Sequence, residues 1–322
     1  MLVCQSDLVA KESTPAPMVS VVVPVYNCER FLAEALESVL AQTCGDYEII
    51  VVNDGSSDGS EAVALRYGDR VRYVCQANAG PGAARNRGLE MACGSLIAFL
   101  DADDLWLPGK LAVQVEFMET HPEVVLSAVN YGVRVDGKDL PGGMWRLTSD
   151  GPWWVAPNAF LAYRDRYIPR TSVNMVRTEC LRKLGGFPTD VYYGEDVYTW
   201  FRLGTLGKWA FGGEVLGRAR CHGASLTARR GLDTTASELL FDRLRELAAA
   251  VGGSADFSAW QDIHYRGLFQ YVKRAILENE AEAARRYVSR RQRYLKWRHR
   301  AALRGLLICP GLVRKLHRML KG

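Results

Sequence analysis

The sequence has no long hydrophobic run. Its longest apolar stretch near the C-terminus, residues 305–313, is interrupted by Pro310 and is much shorter than the roughly 18–20 residues that cross a bilayer. The N-terminal segment contains Asp7 and Glu12, and it has no basic start followed by an apolar core, so it lacks the pattern of a signal peptide. These absences predict a cytoplasmic protein.

Paired cysteines are also missing. The sequence has 8 cysteines, but none forms a CxxC pair and their spacing does not match a disulfide framework. Several lie in apolar or helical contexts, which is typical of reduced, buried thiols. The cysteine pattern therefore favours the same cytoplasmic location.

Acidic residues are absent from one end of the chain. Residues 285–322 contain 13 Lys and Arg and no Asp or Glu, whereas residues 1–284 contain 28 basic and 36 acidic residues. The net charge of +5 thus combines an acidic body with a basic tail, and we expect different roles for the two parts. A chain of 322 residues with 48% hydrophobic and 24% charged residues is neither disordered nor collagen-like.

Short apolar runs alternate with helical patterns through the first part of the chain, which is typical of βαβ units. The alternation predicts an α/β fold with a Rossmann-like, mostly parallel sheet flanked by helices. The predicted strands are 19–25, 48–52, 71–75, 96–100, 124–129 and 215–221, and the predicted helices are 28–43, 60–66, 83–91, 110–120, 179–184 and 196–203.

Two regions depart from this alternation. Residues 131–172 are rich in Gly, Pro and Trp and are predicted to form an irregular insertion or a loose sheet. After Ser237 the pattern is almost entirely helical. We therefore predict a flexible lead-in (1–17), an α/β domain (18–230) and a helical extension with a basic amphipathic tail (231–322).

Carboxylates follow two of the predicted strands. Asp54 comes after the second strand, and Asp101, Asp103 and Asp104 come directly after the fourth. Ligands of parallel sheets bind at the carboxyl ends of strands, and three carboxylates within four residues repel one another unless a cation lies among them. Oxygen ligands of this kind suit Mg²⁺ or Mn²⁺. The alternative is that Asp103 or Asp104 caps a helix over 105–111.

Several motifs occur together in an order that resembles glycosyltransferase family 2, which has the GT-A fold. They span about two-thirds of the chain and read VSVVVPVYN, SVLAQT, IIVVNDGSSDGS, NAGPGAARNRGL, IAFLDADD and GED. The resemblance implies a GT-A catalytic domain over 18–230 that transfers a sugar, with inversion, from a nucleotide-sugar to an acceptor hydroxyl. It implies an enzyme of the hexosyltransferase type.

The resemblance also implies which residues hold the donor. It assigns Pro24, Val25 and Tyr26 to the nucleoside, and Asp54 to the base, which is usually uracil and so favours UDP-sugars. Asp101 is the first carboxylate of the family's DxD motif and is expected on the ribose side. Arg87, and with it Arg85, is assigned to the diphosphate, although an outward-facing position on a helix is the alternative.

The metal ligands and the catalytic base come from the same resemblance. Asp103 is the last carboxylate of the DxD motif and is expected to bind Mn²⁺ or Mg²⁺. His222 is expected to be a second ligand or to contact the diphosphate, and the alternative is a structural residue. Asp196 is the implied general base, and Glu195 is expected to help bind the acceptor. The alternative for both carboxylates is that they stabilise the N-terminus of a helix.

Aromatic residues suggest two further interactions. Trp145, Trp153 and Trp154 either stack on an acceptor sugar or belong to the core. In the tail, aromatic and small residues recur at helical spacing among Arg and Lys, which suits an anionic membrane surface at the inner face of the cell membrane. The alternative is a solvated face of a helical appendage, and we do not expect a nucleic-acid partner. The tail positions are Tyr287, Tyr294, Trp297 and Ala301.

The predicted acceptor is a glycan or a lipid-linked molecule, as in bacterial-type cell-surface polysaccharide or glycolipid synthesis. Two other functions remain open. A nucleotidyltransferase would need a Gly-rich loop with Lys or Arg after the first strand, where this chain has PVYNCERF. A non-catalytic module that binds a sugar nucleotide or glycan would have no need of Asp196.

Overall fold

The computed structural model describes residues 16–147, 151–165, 167, 169–191, 194–222, 234–251, 254–277, 281–291, 295–308 and 310. Most of the predicted lead-in, the predicted boundary at 230, Tyr294 and residues 311–322 lie outside these ranges.

The chain forms one mixed sheet with helices on both of its faces. The strands are β1 (Val19–Val25), β2 (Tyr47–Asn53), β3 (Arg72–Cys75), β4 (Leu96–Phe99), β5 (Leu105–Trp106), β6 (Val124–Val135), β7 (Lys138–Asp139), β8 (Trp153–Val155), β9 (Asn174–Arg177) and β10 (Lys208–Cys221). The helices are α1 (Glu29–Leu40), α2 (Ser60–Leu65), α3 (Pro81–Met91), α4 (Lys110–Thr120), α5 (Ala159–Arg164), α6 (Thr178–Lys183), α7 (Glu195–Leu203), α8 (Thr234–Val251), α9 (Ser254–Leu277), α10 (Ala281–Arg291) and α11 (Trp297–Ile308).

The strand order is β3-β2-β1-β4-β9-β6-β10-β5, with β7 paired to β6 and β8 paired to β10. Strands β1 to β4 are mutually parallel, as the βαβ pattern predicts. Strand β9 lies antiparallel between β4 and β6, so the second half of the sheet is mixed. The predicted α/β fold is confirmed. Besides β9, the short strands β5, β7 and β8 also pair antiparallel with their neighbours.

Strand β1 is buried on both faces, which explains its unbroken apolar sequence. Val21 and Val23 pack with α1, α2 and α4 on one face, whereas Val22 points to the other face and packs with α3. The two faces therefore have separate cores.

Residues 131–172 are more regular than their composition predicts. Strand β6 continues to Val135, and β8 and α5 lie within the predicted insertion. Strand β10 begins at Lys208 and is twice as long as predicted, because register shifts between Phe211 and Val215 break its apolar alternation without ending the strand. Strand β9 has only four residues, too few for a periodic signal.

The first two C-terminal helices, α8 and α9, contribute residues to the core of the sheet. Leu240 and Leu244 of α8 and Trp260 of α9 lie in the same core as Trp200 of α7. Leu240 covers Gly194, where a Cβ atom would come within 2.5 Å of Leu240 Cδ2. Packing is therefore continuous across the predicted boundary at 230.

A second small core joins α9, α10 and α11, and it changes the interpretation of the basic tail. Tyr287 is only 5% exposed, because it packs inside this core instead of facing outward. Arg291 is buried and pairs with Asp242, and Lys296 pairs with Asp262. In the described part of the tail, Tyr287 and some of the charges thus serve packing, whereas Ala301 is exposed.

The structure bears on the expected absence of membrane-spanning segments and on the expected burial of the thiols. Within the described ranges, no helix is both long and apolar enough to cross a membrane. The prediction of buried thiols is wrong for Cys75, Cys93 and Cys221, which are exposed, although all six described cysteines are free.

The close approach of α3 to β1 makes a stability prediction. A Cβ atom at Gly88 would lie 2.3 Å from Val22 Cγ1, so Gly88→Ala must push the helix away from the strand. We expect the free energy of unfolding in urea to fall by about 1–3 kcal/mol. Gly45→Ala is the control, because nothing lies within 4 Å of that position. Equal stability of the two variants would contradict the close packing.

Candidate active site

The carboxyl ends of β1, β2 and β4 meet at one edge of the sheet. Val25 at the end of β1 pairs with Asn53 at the end of β2, and β1 also pairs with β4. The loops after these strands contain Tyr26, Asp54 and Asp101, so the structure brings these predicted residues to a common edge.

The predicted nucleoside residues differ in their exposure. Val25 is buried and its carbonyl oxygen accepts a hydrogen bond from the backbone N–H of Asp54 at 2.8 Å. Pro24 is half-buried, whereas the Tyr26 side chain is 51% exposed. Asn27 adopts a positive φ of 50°, and its side chain accepts the N–H of Ser57, which fixes the turn. Tyr26 is therefore the member of this group whose ring is open to a ligand.

Asp54 is buried and holds the loop over residues 76–80. Its Oδ1 accepts hydrogen bonds from Gln76 Nε2 at 2.8 Å and from the N–H of Ala79 at 3.0 Å. Its Oδ2 accepts the N–H of Gly80 at 2.9 Å. This carboxylate therefore fixes the loop that leads into α3, in addition to any contact with a ligand.

The three carboxylates after β4 point in three directions. Asp101 binds Arg85, Asp103 binds His222, and Asp104 turns inward. Neither Asp103 nor Asp104 caps a helix, because residues 105 and 106 form β5 and α4 begins only at Lys110. The capping alternative is therefore wrong.

Asp104 ties the loop after β4 to two distant segments. Its Oδ2 accepts the Ser172 hydroxyl at 2.6 Å, and its Oδ1 accepts the N–H of Arg220 at 2.9 Å. Complete burial raises the pKa of this carboxyl to about 6, although Arg170, 3.4 Å away, acts in the opposite direction. Asp104 therefore holds these segments together and is not exposed to solvent.

Asp103 and His222 form the pair that suits a divalent cation. Oδ2 of Asp103 lies 3.0 Å from Nε2 of His222, and both side chains are partly exposed. Neighbouring ligands of an octahedral Mg²⁺ or Mn²⁺ also stand about 3 Å apart, and such ions take their other ligands from water and phosphate oxygens. Among the described residues, no group of three or more candidate ligands is present. The pair therefore fits a metal whose remaining ligands come from water and a substrate.

Contacts with α1 and with Arg220 fix the position of His222. Its ring packs against Phe31 of α1, with 4.5 Å between the ring centroids. Arg220 lies on the same phenyl ring, and its Nε donates to the backbone oxygen of Asp103 at 2.9 Å. The end of β10 therefore carries His222 to the loop after β4.

Glu195 and Asp196 begin α7, as predicted. Asp196 is half-buried, its Oδ2 accepts the Thr171 hydroxyl at 2.7 Å, and its Oδ1 accepts the N–H of Val197 at 2.7 Å. Glu195 is buried, and its Oε1 accepts a hydrogen bond from Arg85 at 2.9 Å. Burial, together with the charge of Asp196, raises the pKa of Glu195 to about 7, although Arg85 opposes this shift.

The two arginines of α3, which the sequence analysis assigns together, take different positions. Arg85 is buried and bonds to both Asp101 and Glu195. Arg87 is 47% exposed at its side chain and pairs with Glu90 on the same helix. Arg87 thus has the outward-facing position of the alternative interpretation and its assignment to the diphosphate stays a prediction, whereas Arg85 bonds to two carboxylates of the site.

The tryptophans of the predicted acceptor region belong to the core. Trp145 is 8% exposed, donates its ring N–H to the carbonyl oxygen of Gly212 and packs edge-on against Phe211. Trp154 stacks on Phe211 and Trp153 stacks on Phe117. The core alternative accounts for these contacts.

Sequence reasoning missed the segment 170–172. Thr171 bonds to Asp196, and Ser172 bonds both to Asp104 and to the N–H of Asp101. Small hydroxyl residues in a region without periodicity carry no signal of their own, and only the pairing of β9 with β4 brings them to this edge.

Comparison with known proteins agrees with this geometry. Residues 20–175 match the family model for glycosyl transferase family 2. The chain is 31% identical over 230 residues to an uncharacterized glycosyltransferase of Rickettsia typhi, covering 67% of this chain and 68% of that relative. The chain therefore belongs to glycosyltransferase family 2, and a nucleotidyltransferase is not supported.

Solved structures of low sequence identity share the fold. TarS of S. aureus (residues 1–349), in complex with UDP-GlcNAc, has a TM-score of 0.68 at 18% identity, covering 94% of this chain and 91% of that chain. The mannosyltransferase PcManGT from Pyrobaculum calidifontis, in complex with GDP-Man and Mn²⁺, has a TM-score of 0.50 at 18% identity, covering 94% and 88%. The fold is the GT-A fold.

The raised pKa of Glu195 makes a prediction about stability and pH. Its ordinary value is 4.5 and its folded value is about 7, so its contribution to stability is complete below pH 4.5 and is lost as pH rises through 7. Glu195→Gln removes this dependence. We expect the variant to gain about 1–3 kcal/mol relative to the native chain between pH 5 and pH 8, measured by urea denaturation. If the difference in free energy of unfolding between the two proteins did not change with pH, the raised pKa of Glu195 would be contradicted.

Proposed function

We propose that this chain is a metal-dependent, inverting glycosyltransferase that moves a sugar from a UDP-sugar to an acceptor hydroxyl. The observation that carries the proposal is the meeting of two pairs at one sheet edge: Asp103 with His222, and Glu195 with Asp196. The first pair suits a cation and the second contains a carboxylate open to an acceptor. Family 2 membership and the nucleotide-sugars bound by TarS and PcManGT support this reading.

The donor is proposed to bind over the ends of β1 and β2. Tyr26 covers the nucleoside with its exposed ring, while Pro24 and Val25 shape the wall beneath it. Asp54 already accepts three hydrogen bonds, so it contacts the base with a remaining lone pair while it holds residues 76–80. Asp101 lies on the ribose side, with one carboxylate oxygen bonded to Arg85.

Asp103 and His222 are the proposed ligands of Mn²⁺ or Mg²⁺. Bound there, the ion would stabilise the negative charge that grows on the leaving diphosphate. The Phe31 ring and the Arg220 contacts keep the imidazole in place, so this part of the site is preformed by the chain itself. The family comparison supports a metal, since PcManGT was solved with Mn²⁺.

Asp196 is proposed as the general base. The acceptor oxygen forms a bond to the anomeric carbon, the bond from that carbon to the diphosphate breaks, and the acceptor's proton passes to Asp196. The nucleoside diphosphate leaves with the bonding electron pair, and the sugar centre inverts. The Thr171 hydroxyl and the Val197 N–H hold the carboxylate in a fixed orientation while Glu195 lies behind it.

The acceptor is proposed to be a glycan or a lipid-linked molecule of cell-surface polysaccharide or glycolipid synthesis. We further propose that residues 18–230 carry the catalysis and that the extension over 231–322 places the enzyme at an anionic membrane. Tyr287 is buried, so this contact would be electrostatic and would use exposed arginines of α10 and α11. Arg286 and Arg300 are two such residues.

Replacement of Asp196 tests the general base. Asp196→Asn should lower turnover by about 10²–10⁴-fold and leave nucleotide binding intact, because the amide cannot take a proton. The assay measures release of nucleoside diphosphate from UDP-, GDP- and dTDP-sugars with Mn²⁺ present. Asp190→Asn is the control, since Asp190 is an exposed carboxylate paired with Arg243 just before the same turn. Full turnover in Asp196→Asn would falsify the base, and nucleotide binding without turnover in the native chain would favour a binding module.

Removal of the metal tests the Asp103–His222 pair. We expect EDTA to abolish transfer, and His222→Ala to raise the Mn²⁺ concentration for half-maximal activity by about tenfold or more. His121→Ala is the control, because His121 stacks on Phe117 at the end of α4 and bonds to that residue's carbonyl oxygen. Activity that survives EDTA and an unshifted Mn²⁺ curve for His222→Ala would contradict metal dependence.

Charge reversal tests the tail. The double variant Arg286→Glu, Arg300→Glu should co-sediment with anionic vesicles at least about tenfold less than the native chain, because each basic residue near such a surface adds about 1 kcal/mol. Arg66→Glu, an exposed position at the end of α2, is the control. Sedimentation that is equal for all three proteins would rule out this contact.

A further inference from the structure

One guanidinium connects the donor side of the site to the acceptor side. Nη2 of Arg85 donates to Oδ1 of Asp101 at 2.9 Å, and Nη1 donates to Oε1 of Glu195 at 2.9 Å. Asp101 follows β4 and Glu195 begins α7, so these two carboxylates come from opposite halves of the catalytic region. Arg85 reaches both from the middle of α3.

The burial of Arg85 shows that the two carboxylates decide its position. Its side chain is only 6% exposed, and its Nε is buried without a hydrogen-bond partner among the described residues. An unsatisfied buried donor is unfavourable, and the two charge-assisted hydrogen bonds must offset it. The guanidinium also lies 5.6 Å from the centroid of the Phe187 ring, which limits its movement.

The turn before α7 has its own attachment to α3. Asn86 Nδ2 donates to the carbonyl oxygen of Phe187 at 2.8 Å, and its Oδ1 accepts the N–H of the same residue at 2.8 Å. This residue therefore docks the backbone of the turn on α3 without Arg85. Because Asn86 docks the turn, the contacts of Arg85 act on the charge and the side-chain orientation of Asp101 and Glu195.

We propose that Arg85 is a positioning residue that couples Asp101 to the Glu195–Asp196 pair, so that the donor and the base are aligned for transfer. This inference rests on the proposed function. Arg85 directs one oxygen of Asp101 away from the cleft and neutralises Glu195 behind Asp196. Without this cation, the buried carboxylate of Glu195 and the partly exposed carboxylate of Asp101 would each lose an ion pair, and the base would lose its alignment with the donor.

The coupling predicts a specific loss of kcat. Arg85→Met keeps the unbranched apolar stem of the side chain but removes the guanidinium and its charge, and we expect kcat to fall by about 100-fold, as misalignment of about 1 Å produces. We expect the donor KM and the Kd for the nucleoside diphosphate to change by less than about fivefold, because Tyr26, Asp54 and Asp103 do not bond to Arg85. Arg85→Lys should keep intermediate activity, since one ammonium reaches one carboxylate but does not span two.

A double variant separates coupling from general damage. In a Glu195→Gln background, Arg85→Met should lower kcat by less than about tenfold, because one of its two partners is already neutral. Arg182→Met is the matched structural control. Nη2 of Arg182 also supports α3, through the carbonyl oxygens of Ala92 at 2.6 Å and Leu89 at 3.4 Å, and its loss should lower stability but leave kcat within about twofold.

Two results would overturn the proposal. One is a kcat of Arg85→Met within about threefold of the native value; the other is full multiplication of the Arg85→Met and Glu195→Gln losses in the double variant. If Arg85→Met does not fold, Arg85→Lys in both backgrounds gives the same comparison. If the native chain itself turns over no nucleotide-sugar, the proposed function fails and the assignment of Arg85 falls with it.

Discussion

The crowding of carboxylates at one sheet edge is the constraint on which the rest of the site depends. Like charges in a partly buried cleft repel, so each group needs its own partner or must lose its charge. The structure supplies these partners as backbone N–H groups, hydroxyls, an imidazole, a helix terminus and one buried guanidinium, which Asp101 and Glu195 share. The carboxylates are Asp54, Asp101, Asp103, Asp104, Glu195 and Asp196.

These partners sort the carboxylates into two kinds. Asp54 and Asp104 are buried and bonded to the chain itself, so they define the shape of the loops. Asp103 and Asp196 are partly open, and each has a partner that orients it without covering it. Asp103 and Asp196 are thus the carboxylates whose charge a cation and an acceptor could reach. Asp54 and Asp104 keep the surrounding segments at the correct spacing.

The sequence predicts the first half of this arrangement well, because it is local. The buried run over residues 19–25 predicts a strand, and the DADD segment marks the end of another. Adjacent parallel strands bring such ends together. The second half depends on contacts between distant segments. Nothing near Thr171 or Ser172 indicates that β9 inserts beside β4, and the four residues of β9 have no periodic pattern. Helical spacing likewise does not distinguish Arg85 from Arg87, since only the position of Glu195 decides which one is buried.

The contact of Leu240 with Gly194 has a consequence for how the enzyme is made. Gly194 adopts a positive φ of 76° directly before Glu195, and the helix that covers it comes after every candidate ligand and base in the chain. During synthesis, the polar residues of the site therefore leave the ribosome before the helix that covers Gly194. The turn that carries Glu195 and Asp196 therefore gains its final packing only after α8 has been translated.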